Sequence, residues 1–172
     1  MDPQYSAVTT RYEGTARTLT TPCAVAEAHD TTAPAPHPAY NAFIGLWDTG
    51  ATNSVITQRV IDACGLKPTF KRQVSGVHGS KIVDGYHVNI SMNEGKISFE
   101  AFEVTKGELD GGDVLIGMDI IGLGDFSVTN FKGNTVCTFR IPSQGEHDYV
   151  KNAIEKMKRE QSQNFRRGLR RR

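Results

Sequence analysis

A chain of 172 residues with a formal net charge of +1 is long enough to bury one substantial core, and its length favours one domain over two. The near-neutral balance hides a polarised distribution: Arg166, Arg167, Arg170, Arg171 and Arg172 place five positive charges in the last seven residues, leaving −4 over residues 1–165. Three widely spaced cysteines, Cys23, Cys64 and Cys137, argue against a disulfide scaffold or a structural zinc site and fit small buried side chains in a reducing compartment.

The first residues lack a basic segment followed by an apolar run, so no signal peptide is expected. No apolar stretch approaches the ~20 residues of a membrane span, and the expectation is a soluble, cytoplasmic protein. Residues 1–13 are polar, which predicts a loosely ordered terminus. Thr, Val and Ala dominate from Gly14 to Ala28, with alternation through Leu19, Cys23 and Val25 that predicts a strand or hairpin. Ala33-Pro34-Ala35-Pro36-His37-Pro38 lacks the N–H donors a sheet ladder needs, so it reads as a loop leading into a strand that ends at Trp47.

That strand stops at a carboxylate, Asp48, followed by the small residues Thr49, Gly50 and Ala51. Val55, Ile56, Val60, Ile61 and Cys64 then recur at near-helical spacing, and Gly65 stands where a C-cap glycine belongs, predicting a short helix over about 57–64. Residues 70–92 alternate around Val74-Ser75-Gly76-Val77-His78-Gly79-Ser80, the pattern of a long hairpin whose tip uses the backbone freedom of Gly76 and Gly79. Strands are expected over 88–92 and 97–104, a loop over 106–113, and a buried apolar strand over 114–121 interrupted by Gly117 and Asp119. A last hairpin joins 126–128 to 135–141. From Glu146 the period changes: Tyr149, Val150, Ala153, Ile154 and Met157 share one helical face, predicting an amphipathic helix over about 146–162 whose apolar face packs on its own subunit. The organisation is therefore 1–13 as a polar terminus, 14–142 as a β domain, 143–165 as the helical segment and 166–172 as a basic, disordered tail.

A carboxylate at the end of a buried strand is costly unless its surroundings satisfy it or use it. The tripeptide Asp48-Thr49-Gly50 taken alone also fits an Asx-turn. Taken with the glycine-tipped hairpin and with Leu115-Ile116-Gly117-Met118-Asp119, in that order, it resembles the retropepsins, the single-domain aspartic proteases of retroviral type. The resemblance spans roughly residues 40–128 and implies a mainly β, closed, barrel-like half-domain with short helices, to which the C-terminal helix is an addition.

It also implies an activity: peptide-bond hydrolysis by a water activated between two carboxylates, with no metal and no cofactor. Two such groups held about 3 Å apart cannot both ionise, so one serves as acid and the other as base. The chain contains a single Asp-Thr-Gly, so the second carboxylate would come from Asp48 of a second copy in a C2 homodimer. By the same resemblance Asp48 is catalytic. Thr49, Gly50 and Ala51 support the loop, with Thr49 bonding across the dimer axis. Thr52, Asn53, Gly76, Val77, His78 and Gly79 bind an extended peptide as an added strand. Acidic residues follow the alanine in the retroviral pattern, whereas Thr52 and Asn53 stand here. Gly117 is expected to pack beneath the loop, Asp119 to cap the short helix, and Trp47 to be core or interface packing. Two other readings stand beside this one: a non-cleaving dimerisation or peptide-binding module on the same fold, and a β-barrel tethered to RNA or an acidic partner through the five arginines.

Overall fold

The structure, a computed structural model, describes residues 5–76 and 79–169, with side chains of the last helix described to residue 163. The barrel begins with β2 (Thr20–Glu27) antiparallel to β3 (Asn41–Trp47). β3 lies parallel to β8 (Val114–Ile116), which runs antiparallel to β4 (Val55–Ile56). β4 is parallel to β7 (Ile97–Lys106), and β7 pairs antiparallel with β6 (Gly79–Met92). β6 returns to β2 with Cys23 opposite Met92. Six strands in the order β2-β3-β8-β4-β7-β6 therefore close on themselves. Closure removes free backbone edges and leaves the alternate side chains of each strand to fill the interior. Val25, Ile56, Ile90, Val104, Val114 and Ile116 are fully buried there.

β5 (Phe70–Gly76) stands outside the ring and pairs with the first half of β6, from Phe70 opposite Gly85 to Gly76 opposite Gly79. The predicted hairpin is therefore present, and residues 79–82 at its far end are exposed. Its expected tip residues Val77 and His78 lie outside the described residues.

A second sheet has the order β1-β10-β9, built from β1 (Ser6–Arg11), β10 (Val136–Ile141) and β9 (Asp125–Thr129). The polar terminus expected over residues 1–13 thus contains a strand, registered from Ser6 opposite Ile141 to Arg11 opposite Val136. Its partner lies some 130 residues away along the chain, a non-local cause that a local window cannot contain. This sheet packs on the barrel through Trp47, whose ring centroid lies 5.1 Å from that of Phe126 and 5.2 Å from that of Phe139. Trp47 is core packing.

α1 (Gln58–Cys64) occupies the predicted place and ends at Gly65, whose φ of 63° is the left-handed C-cap conformation that favours glycine. The strand expected over 114–121 divides at Gly117 into β8 and the four-residue helix α2 (Met118–Ile121). α3 (Tyr149–Leu169) starts later and runs further than its pattern predicts. Asp148 opens it, its Oδ1 accepting the N–H groups of Val150 (2.9 Å) and Lys151 (3.0 Å). Contrary to expectation, every described side chain of α3 is exposed, Tyr149 and Val150 at 67% and 70%. The barrel and the Trp47 layer fill the core without it. All three cysteines are free; burial, helped by the nearby charge of Asp113, pushes the Cys23 thiol up to about 12, and burial takes Cys137 to about 11.

Candidate active site

Asp48 follows the last residue of β3, and its position is set by the backbone. Its N–H donates to the carbonyl of Ile116 at 3.0 Å, continuing the parallel β3–β8 ladder by one bond. Its own carbonyl accepts the N–H of Ala51 at 3.3 Å, closing a turn, and its Oδ1 accepts the N–H of Gly50 at 2.8 Å. The Asx-turn geometry open to the tripeptide is therefore present, and it orients the carboxylate while leaving Oδ2 without a hydrogen-bond partner among the described residues. Asp48 is half-buried, whereas Thr49, Gly50 and Thr52 are exposed. That leaves an acid on rigid backbone beside an uncovered loop.

The loop is fastened from beneath by the Leu115–Asp119 segment. Ala51 accepts the N–H of Met118 at 2.8 Å. The Gly117 N–H donates to Ser54 Oγ at 3.1 Å, and the Ser54 hydroxyl donates onward to Asp119 Oδ1 at 2.7 Å. Asp119 Oδ2 accepts the Ser54 N–H, also at 2.7 Å. Ser54 is fully buried, so this carboxylate satisfies two donors that water does not reach. Gly117 lies against the loop as expected: a Cβ there would stand 2.8 Å from the carbonyl carbon of Asn53 and 3.0 Å from the Ala51 oxygen.

Asp119 corrects the sequence reading. It does bond the N–H of Ile120 at 3.0 Å, but the residue at the N-cap position of α2 is Gly117, and the main work of Asp119 is to hold Ser54. Ser54 was missed because a small polar residue after a turn reads as loop. The signal that could have found it is its place immediately before Val55-Ile56, where the strand enters the core.

Farther along β3, the largely buried Asp113 accepts the Ile44 N–H at 3.0 Å and the Arg59 guanidinium at 2.8 Å. It pins α1 to the strand that carries Asp48. Of the expected peptide-binding residues, Thr52 and the half-buried Asn53 belong to the Asp48 loop, Gly76 and Gly79 sit opposite each other in the β5–β6 hairpin, and Val77 and His78 are outside the described residues.

Residues 41–122 match the family model described as gag-polyprotein putative aspartyl protease. This segment is retropepsin-like. The match holds the whole Asp48 loop, the β5–β6 hairpin and the Leu115–Asp119 segment. No curated protein matches the chain. Among solved structures the chain is similar to a retropepsin-like aspartic protease from Rickettsia conorii, at 12% identity over 80% of this chain and 96% of that one, with a TM-score of 0.45. It is also similar to the EIAV protease, at 20% identity over 62% and 86% with a TM-score of 0.43. The retroviral protease-like domain of Ddi1 from Leishmania major shows 19% identity over 66% and 82%, with a TM-score of 0.43. These TM-scores lie below 0.5, so the fold assignment rests on the closed strand topology and the family match.

Proposed function

We propose that this protein is an aspartic endopeptidase that works as a homodimer, with Asp48 of each copy supplying one of the two catalytic carboxylates. The observation that carries this reading is the Asp48 loop: a carboxylate oriented by its own Asx-turn, fastened by Ile116, Gly117 and Ser54, and presented beside the exposed Thr49 and Gly50. An Asx-turn needs one acceptor oxygen, which an asparagine would also provide; the carboxylate adds a second, Oδ2, with no hydrogen-bond partner among the described residues.

One carboxylate can activate a water or protonate a carbonyl, but not both at once, and the chain has no second Asp-Thr-Gly. A twofold axis passing between two Asp48 loops would supply the second group. The partner would cover Thr49, Gly50 and the exposed side chain of Met118, whose N–H is bonded to the loop. Thr49 would bond across the axis. An extended peptide would lie along Thr52 and Asn53, and the hairpin bearing Gly76, Val77, His78 and Gly79 would close over it, excluding water.

Cleavage of a peptide library from acidic to neutral pH, by wild type and by Asp48→Asn, tests this reading. The variant is expected to lose about 10²–10⁴-fold in activity while sedimenting as the wild type does. Activity should withstand chelators and serine or cysteine traps and yield to a statine-type transition-state mimic. Full activity in Asp48→Asn would remove Asp48 from the mechanism.

A further inference from the structure

α3 shows an apolar stripe to solvent. At ~100° per residue, Tyr149, Ala153, Met157, Val150 and Ile154 fall within about 140° of arc over residues 149–157, before Glu160 and Gln161 interrupt it, while Lys158, Lys151, Glu155, Arg159 and Lys156 occupy the remainder. All of these side chains are exposed, and Tyr149, Val150, Ile154 and Met157 are among the large apolar residues left uncovered by the fold. The charge is as one-sided as the stripe. Residues 149–172 hold nine Lys and Arg against Glu155 and Glu160, a net +7, whereas residues 1–148 carry −6.

We propose that α3, with the cationic residues that follow it, is an interfacial helix that docks the protein on an anionic phospholipid surface. Charge selects the occupant. A second copy of α3 would bring another +7 against the first, so self-association of the stripe is opposed by like charge. A nucleic acid would neutralise the cations but leave Tyr149, Val150, Ile154 and Met157 in water. An anionic bilayer answers both features: the apolar arc enters the boundary between headgroups and acyl chains, and the flanking lysines bury their stems while their ammonium groups meet lipid phosphates and carboxylates. Lys156 and Lys158, on either border of the apolar arc, are placed for that contact. No described helix is long and apolar enough to cross a membrane, and this docking requires none. The proposal does not depend on the peptidase reading.

Co-sedimentation of the full chain with vesicles of phosphatidylcholine alone, or of phosphatidylcholine with phosphatidylserine, tests it. Binding is expected to the anionic vesicles, to weaken as salt rises, and to be slight on the neutral ones. Lys156→Gln with Lys158→Gln should weaken binding roughly fivefold per cation removed. Ile154→Gln with Met157→Gln, which leave the charge unchanged, should weaken it by roughly tenfold or more. Because these side chains bury nothing in the fold, the fluorescence of the single tryptophan, Trp47, should be unchanged in both variants and serves as the folding control. No binding to anionic vesicles, equal binding to neutral ones, or wild-type binding by the Ile154/Met157 variant would each overturn the proposal. So would a single-stranded polyuridylate that binds more tightly than the vesicles and equally well to wild type and the apolar variant.

Discussion

Ser54 and Asp119 show how one carboxylate decides the state of a loop that carries another. The Ser54 N–H and hydroxyl are buried and have Asp119 as their acceptor. Asp119→Ala leaves both donors unpaired, and a cost of about 1–3 kcal/mol is expected for each buried group so stranded. Asp119→Asn, which keeps one oxygen acceptor, should recover part of that loss. Urea unfolding measures both variants, and an alanine variant as stable as wild type would show that the bonds contribute nothing. Asp125 makes a different prediction, in pH. The Gln144 N–H, the Ser143 hydroxyl and Arg140 hold its carboxyl down at about 2. The ordinary value is about 3.9, so the depressed folded-state value contributes stability that is complete above pH ~4 and is lost as pH falls from there through ~2. Hydrogen exchange at Gln144 should therefore accelerate below pH ~4 beyond its intrinsic acid dependence. Asp125→Asn should remove that excess, and a pH profile identical in the two proteins would refute the assignment.

The two short elements beside the Asp48 loop owe their positions to close backbone approach. β8 and α2 meet at Gly117, and the Asn53 and Ala51 main chains occupy the space a side chain would need. Main-chain atoms cannot swing aside as a side-chain end can, so Gly117→Ala is expected to cost about 1–3 kcal/mol through overpacking and to displace the Asp48 loop. In the proposed enzyme, the displacement predicts a loss of peptide cleavage at temperatures where the variant remains folded. Gly145→Ala is the matched control, because nothing lies within 4 Å of a Cβ there. If both variants behave alike, the contact carries no weight. The same comparison explains why the sequence pattern around residue 117 is read as one interrupted strand. Val114–Ile121 is apolar almost throughout, and a buried helical turn and a buried strand look alike over so few residues.

The chain carries a single Asp-Thr-Gly acid, Asp48, so assembly governs activity in the proposed enzyme. Specific activity should rise with protein concentration over the range where sedimentation shows monomers joining, and a monomer fully active at every dilution would end the shared-site mechanism. Much of this molecule was legible in its sequence. The Asp-Thr-Gly turn, the glycine-punctuated hairpin, the Gly65 stop and the amphipathic period of α3 are local patterns, set by torsional preference and side-chain spacing within a few residues. The first two, in their order with Leu115-Ile116-Gly117, resemble the retropepsins, and it was that resemblance that implied the barrel class, the candidate acid and, with no second Asp-Thr-Gly, the expected homodimer. Other features were settled by contacts between distant residues, which no local window holds. β1 is a strand because β10 offers it a partner, Trp47 is core because Phe126 and Phe139 close over it, and Asp119 turns to Ser54 because the β8 ladder brings the two together. The exposure of α3 belongs with these. An apolar stripe shows that a surface awaits cover, and only the packed fold reveals that its own barrel does not provide it.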